Sequence, residues 1–183
     1  MHEGNFHFSM TASFQHIEKT MDLKRISTGL ILLPALMGSV SHAQLPQQYV
    51  MSLEIAQQFN QKVMQQCTQD EKPAAVVVLD QGGNMLSSQR HESVGIHNII
   101  AAERKAFTAY STKTHTLDFM RNAQKNPDAQ NLNSLPELLL LGGGVPVFYQ
   151  GQLIGAVGVA GSGGSVQDHK CAQKGIEAVL KQL

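Results

Sequence analysis

Three groups of residues in this chain have the types and spacing to do chemistry. The first is the run Gly142-Gly143-Gly144-Val145-Pro146. Consecutive glycines reach backbone angles closed to other residues, and such a loop at a strand edge can offer bare amides to an anion. No Lys-Ser/Thr follows it and it contains no GxGxxG, so it is neither a P-loop nor a dinucleotide motif. The second group is the cysteine pair Cys67 and Cys171. A bridge between them would stabilise by about 4–5 kcal/mol in the chain-entropy model; the alternative is two small apolar residues on helix faces that never meet. The third group is ionisable: Asp80, Arg90, Glu92, the run Glu103-Arg104-Lys105, Asp168, and the histidines His91, His97, His115 and His169. Enzyme signatures are poor. There is no Gly-x-Ser-x-Gly, HExxH or CxxC, and nothing in the spacing of Asp80 and Glu92 demands a catalytic carboxylate pair.

These residues must be held by elements that the hydrophobic pattern predicts. Leu53, Ala56, Phe59 or Asn60, Val63 and Cys67 recur at helical spacing and predict a first helix over 52–67. The valine-rich run 74–79, the turn Asp80-Gln81-Gly82-Gly83-Asn84 and the run 85–90 predict a hairpin. Asp80 reads as a turn residue bonded to its own loop. A second helix follows over 96–110, buried through Ile96, Ile99, Ile100, Ala106, Phe107 and Tyr110. Three consecutive charges at 103–105 fan over more than half its circumference, so one of them must lean toward the apolar boundary. A short helix is expected over 117–124, then a loop-like stretch over 125–136 and a short apolar segment over 137–141. Val147-Phe148-Tyr149 and 153–160, joined by Gln150-Gly151-Gln152, predict a second hairpin. Gly155 and Gly158 within it read as close-packing positions rather than chemistry. Ser165-Val166-Gln167-Asp168 has the form of a helix N-cap with an acid three residues on, opening a last helix. Asp168 is expected to favour that N-terminus. The order defines an α+β domain with a small antiparallel sheet and helices packed on it.

The N-terminal part reads differently. Lys24-Arg25, the apolar run 26–40 broken at Pro34, and Ser41-His42-Ala43 have the form of a signal peptide cleaved after Ala43. The run is too short and too broken for a comfortable membrane span. Residues 1–43 are therefore expected to be a presequence, with Met21 as an alternative start, and 44–183 a single domain exported to the periplasm or secreted, with no stable membrane span left. Cleavage would remove Lys19, Lys24 and Arg25 along with Glu3, Glu18 and Asp22 from 14 charges of each sign, leaving the domain neutral. Neutrality argues against a nucleic-acid or polybasic membrane surface.

Five segments in order resemble the GlcG/HbpS-like family, which includes the haem-binding HbpS proteins and the C-terminal domain of PduO-type proteins. They are Val76-Val77-Val78-Leu79-Asp80-Gln81-Gly82-Gly83; Arg90; Ala101-Ala102-Glu103-Arg104-Lys105-Ala106 with Ala109; Gly143-Gly144-Val145-Pro146; and Gly155-Ala156-Val157-Gly158-Val159-Ala160-Gly161 with Asp168. The resemblance spans 52–183. Two departures stand out: Arg90-His91-Glu92-Ser93 replaces a usual Arg-x-Asp-Gly, and Ala160-Gly161 replaces Ser-Gly. The first changes the polar edge of the expected pocket.

The resemblance implies about five strands flanked by helices, assembly into homo-oligomers, and a small-molecule ligand, with haem or iron bound in some members and a role in haem sensing or handling. A haem site needs an axial ligand, an apolar slot and cations for the propionates. The candidate ligands are His91, His97, His115, Met85, Met120 and the hydroxyls of 112–116. His115, in a polar segment beside Phe119 and Met120, is the preferred metal ligand, and His97 the second. Lys105, which matches a family position, and Arg90 are the candidate propionate partners; Arg90 could instead pair with Asp80 or Glu92. The alternative function is a small-molecule enzyme or sensor domain taking a carboxylate at Lys105, Arg90 and Gly143, Gly144 and Pro146. A third reading leaves the glycines to packing and oligomer contacts alone.

Overall fold

In a computed structural model of the chain, residues 45–69 and 72–183 are described. The expected presequence and its cleavage site lie outside them. Four helices and four strands follow in order: α1 (Leu53–Gln69), β1 (Ala75–Leu79), β2 (Met85–Arg90), α2 (His97–Thr112), α3 (Thr116–Lys125), a 3-10 stretch (Pro127–Ser134), β3 (Gly144–Tyr149), β4 (Gln152–Ala160) and α4 (Ser165–Leu180). The strands form one antiparallel sheet in the order β2-β1-β4-β3. The α+β class and both hairpins are as the pattern predicted. Among the described residues the strand number is four, not about five. The short apolar segment over 137–141 adds no strand and spends its backbone elsewhere: the Leu138 carbonyl accepts from Arg104 (2.6 Å) and the Leu139 N–H donates to Thr108 Oγ1 (2.8 Å).

β1 is buried along its whole length, because helices cover both faces of the sheet. Val76 and Val78 point into a core with Phe59 and Val63 of α1 and Cys171, Ile176 and Val179 of α4. Ala75, Val77 and Leu79 point the other way, onto Ala102, Ala106 and Ala109 of α2. This second layer is built from small residues, so the helix lies close. A Cβ on Gly158 would stand 1.9 Å from the Ala102 carbonyl oxygen. On the opposite face α1 and α4 also meet closely, with Gly175 set against the Val63 backbone. Cys67 and Cys171 bridge the same two helices, with their Cα atoms 5.1 Å apart.

The hairpin turns carry the backbone angles their residues predicted. Gln150 and Gly151 both have positive φ, at 49° and 78°, the pairing of a tight two-residue hairpin turn. Asp80 Oδ1 accepts from the Gly82 and Asn84 amides at 2.7 and 2.9 Å and so holds the first turn together.

Candidate functional site

α2 is amphipathic, and of its three consecutive charges Lys105 is the one turned inward, only 3 % exposed, while Glu103 lies in solvent. A buried ammonium needs a counter-charge and further acceptors. It finds both. Nζ donates to Asp168 Oδ2 at 2.7 Å and to the Val159 carbonyl at 3.0 Å. The other carboxylate oxygen of Asp168 accepts from the Ser162 amide at 2.8 Å. Burial pushes the Asp168 carboxyl above its usual range, while Lys105 and the Ser162 amide pull it back down. The pair ties α2, β4 and α4 into one unit.

Asp168 lies in the first turn of α4, as expected, but its carboxylate makes no capping hydrogen bond there. The residue preceding that helix is Gly164, with no side-chain cap, and Ser165 sits in the first turn. Ser165 Oγ instead accepts from the Gly142 amide at 3.0 Å. The expected Ser-x-x-Asp cap fails because both side chains have stronger buried or cross-chain partners.

The glycine run is likewise internal. The Gly144 amide donates to Thr116 Oγ1 at 2.8 Å, and the Gly143 carbonyl accepts from Val159. Gly143, with φ at +124°, lies directly over the ion pair: a Cβ there would meet Asp168 Cβ at 2.9 Å and Lys105 Nζ at 3.2 Å. The amides of Gly142 and Gly144 are thus not bare, and Pro146 continues into β3. The structure brings Lys105, Gly143 and Gly144 together, as a packed joint. Arg90 is spent separately. Its guanidinium donates to the carbonyls of His91, Glu92 and Val94, so it pairs with neither the Asp80 nor the Glu92 carboxylate. Lys105, Arg90 and the Gly144 amide of the carboxylate-pocket reading each have a partner inside the protein. His97 is exposed at the start of α2, beside Asn98.

His115 is placed differently. It immediately precedes α3 and leaves that helix without a side-chain cap. Its ring meets His169 of α4 edge-on, with centroids 5.1 Å apart. Nδ1 of each ring is buried and has no hydrogen-bond partner. Leaving a buried polar atom unpaired costs about 1–3 kcal/mol, so two side by side are conspicuous. Burial and the neighbouring His115 hold the His169 pKa below its ordinary 6.5, with Asp118 opposing and Arg121 adding to the effect. The Met120 sulfur lies 3.9 Å from Ser165 Oγ, and Met120 also lines a cavity of about 300 Å³ with Ala123, Gln124, Ala129, Asn133 and Leu140. This donor chemistry fits an iron tetrapyrrole: an unpartnered imidazole nitrogen, a thioether and a nearby arginine.

His169 is not among the ligand candidates read from the sequence. It directly follows Asp168, so consecutive residues of α4 serve two different sites, and no local pattern reveals that α3 brings a second imidazole to it. A further cavity of about 290 Å³ is lined by Leu79, Gly83, Glu103, Arg104, Phe107 and Glu137. It forms where the 127–141 segment folds back over α2, a long-range event with no sequence signature.

Together these features define a small α+β domain whose sheet is sealed by helices on both faces, with two unpartnered imidazole nitrogens side by side at the α3–α4 junction; Asn60 Oδ1, Gln81 Oε1 and Arg104 Nε are the other buried side-chain atoms without a partner among the described residues. The chain belongs to the HbpS-like family: the model described as haem degrading protein HbpS-like matches residues 51–177. Klebsiella pneumoniae ORFY is similar at 30 % identity and a TM-score of 0.70, covering 78 % of this chain and 99 % of that one. A double mutant of Streptomyces reticuli HbpS is 29 % identical with a TM-score of 0.67, covering 79 % and 98 %. PduOC, solved as a complex with heme, is 25 % identical with a TM-score of 0.63, covering 71 % and 95 %.

Proposed function

We propose that this chain binds haem or a closely related tetrapyrrole as an exported homo-oligomer with a haem-sensing or haem-handling role. The observation that carries the reading is the likeness of the fold to a relative solved with heme, combined with the unpartnered ring nitrogen of His115. In this reading His115 would face the iron, Met120 with Ala123 and Leu140 would supply apolar surface, and Arg121 would take a propionate. Bound haem would supply iron-centred ligand binding and redox chemistry; the protein's part is to orient the macrocycle and limit solvent at one face. Lys105 holds Asp168 rather than the ligand. Iron without the macrocycle is the narrower version of the same reading.

Two further observations support the setting. Ile96, just before α2, and Ile100 in its first turn, both expected on the buried side of that helix, are instead 79 % and 61 % exposed, which suits burial against another copy. The Cys67–Cys171 bridge suits an oxidising compartment, in keeping with cleavage after Ala43. Among the described residues no helix is long and apolar enough to cross a membrane.

The test is a haemin titration of the full chain followed by absorbance, with His115→Ala alongside. A saturable, shifted Soret band that His115→Ala alters is the expected result. Saturable binding untouched by His115→Ala would keep haem and remove this site; no saturable band would remove haem. Mass spectrometry of the exported protein should give a mature chain beginning at Gln44.

A further inference from the structure

We propose that His115 and His169 form a two-nitrogen chelate for a borderline divalent metal ion of the zinc, copper or nickel class, independent of any tetrapyrrole. The first ground is geometric. An imidazole nitrogen binds such an ion at about 2.0–2.1 Å, which puts each ring centre about 3.2 Å from it; at a tetrahedral angle two ring centres then stand about 5.2 Å apart. The observed separation is 5.1 Å, with the rings nearly perpendicular at 87°. The centroid separation matches the one a shared ion requires, and the two residues come from different elements, the start of α3 and the first turns of α4.

The second ground is the state of the nitrogens. Both buried Nδ1 atoms lack a hydrogen-bond partner. A ligating imidazole must be neutral and must offer a free lone pair. A structural histidine pair would be expected to use those atoms in hydrogen bonds to one another, to backbone or to a carboxylate, and here they do not. Imidazole nitrogen suits zinc, copper and nickel rather than calcium or magnesium, which take oxygen donors.

Among the described residues no three His, Cys, Asp or Glu side chains gather into a metal cage. The protein therefore supplies two donors, and the remaining positions on the ion are left to water or an external ligand.

The test uses the full chain, without an affinity tag and stripped with a chelator, titrated with zinc against a chromophoric competitor in the absence of haem. One equivalent should bind, and His115→Gln and His169→Gln should each weaken binding at least tenfold, while His97→Gln leaves it unchanged. In parallel, zinc added to the unmutated, nitrogen-15-labelled chain should shift the ring resonances of His115 and His169 selectively, a readout that needs no variant to fold. Wild-type affinity in the double His115→Gln/His169→Gln variant would overturn the proposal. So would zinc shifts confined to other histidines such as His2, His7, His16 or His42. A chain that takes up haemin but shows neither zinc signature would sink this inference and leave the haem reading standing; zinc binding without a Soret band would do the reverse.

Discussion

Asp168 and His169 are neighbours on one turn of α4, yet they end in opposite situations. Asp168 is 2 % exposed and fully engaged, by Lys105 on one oxygen and the Ser162 amide on the other. His169 is less deeply buried but leaves a ring nitrogen without a partner, beside another ring in the same state. Burial of a charge is tolerated only with complete pairing, so a satisfied buried pair reads as architecture. A persistent unsatisfied pair has a cost that architecture does not explain, and reads as a place for a ligand. The contrast moves the functional weight from Lys105, where a lysine on a helix invited it, to the histidines one residue along α4.

The sharpest way to break the comparison is to attack the satisfied side. Lys105→Ala removes one partner and leaves the Asp168 carboxylate buried without its counter-charge, which should lower stability by about 3–5 kcal/mol. A double Lys105→Met/Asp168→Leu variant should recover most of that, because an apolar pair of similar volume needs no compensation. Urea unfolding of the three proteins checks it; a single variant as stable as the parent would mean the pair is not architectural. Next in size is the Cys67–Cys171 bridge, whose residues are 104 apart in sequence. Replacing both cysteines by alanine should cost about 2–5 kcal/mol. The bridge joins α1 to α4 one turn beyond Asp168, so the same unfolding curves compare the two anchors of α4 directly.

Much of the frame was legible because its signals are local. The helical stripe from Ala56 to Cys67, the valines of β1, the Asp80 turn and the Gln150-Gly151 hairpin each declare themselves within a few residues. The fan of Glu103, Arg104 and Lys105 also forced one charge inward before any coordinates. What escaped was long-range pairing. Ser165 and Asp168 have the spacing of a cap, and only the approach of Gly142 and Lys105 from elsewhere in the chain diverts them. The short apolar segment over 137–141 gives no sign that Arg104 and Thr108 claim its backbone. His115 could be named as a donor from its surroundings, but its partner could not, because 53 residues of intervening chain had to fold before the two rings met.

Two smaller effects sharpen the comparison. Gly158→Ala should destabilise by about 1–3 kcal/mol, since a methyl group would run into the Ala102 carbonyl and the Ala106 nitrogen of α2 and the helix would have to lift from the sheet. Lifting α2 also moves Lys105, so this variant should loosen the ion pair while leaving the histidines in place. A near-neutral Gly158→Ala would show that α2 is not tightly seated.

The smallest effect belongs to His169 itself. Its pKa is depressed in the folded chain, first by burial and then by the His115 ring, with Asp118 opposing and Arg121 reinforcing. The unfolded chain, titrating near the ordinary 6.5, takes up the proton first as pH falls. Stability should therefore be highest above 6.5 and decline as pH drops from there through the folded-state value. His169→Gln cannot take up that proton, so its unfolding free energy should fall less between pH 7.5 and pH 5.5 than the parent's. Lys105 and Asp168 are unchanged in this variant, so whatever acid sensitivity their pair contributes remains in both curves and cancels in the difference. If parent and variant lose stability in parallel, His169 is no more constrained than a surface imidazole, and the contrast between the two neighbouring residues loses its electrostatic half.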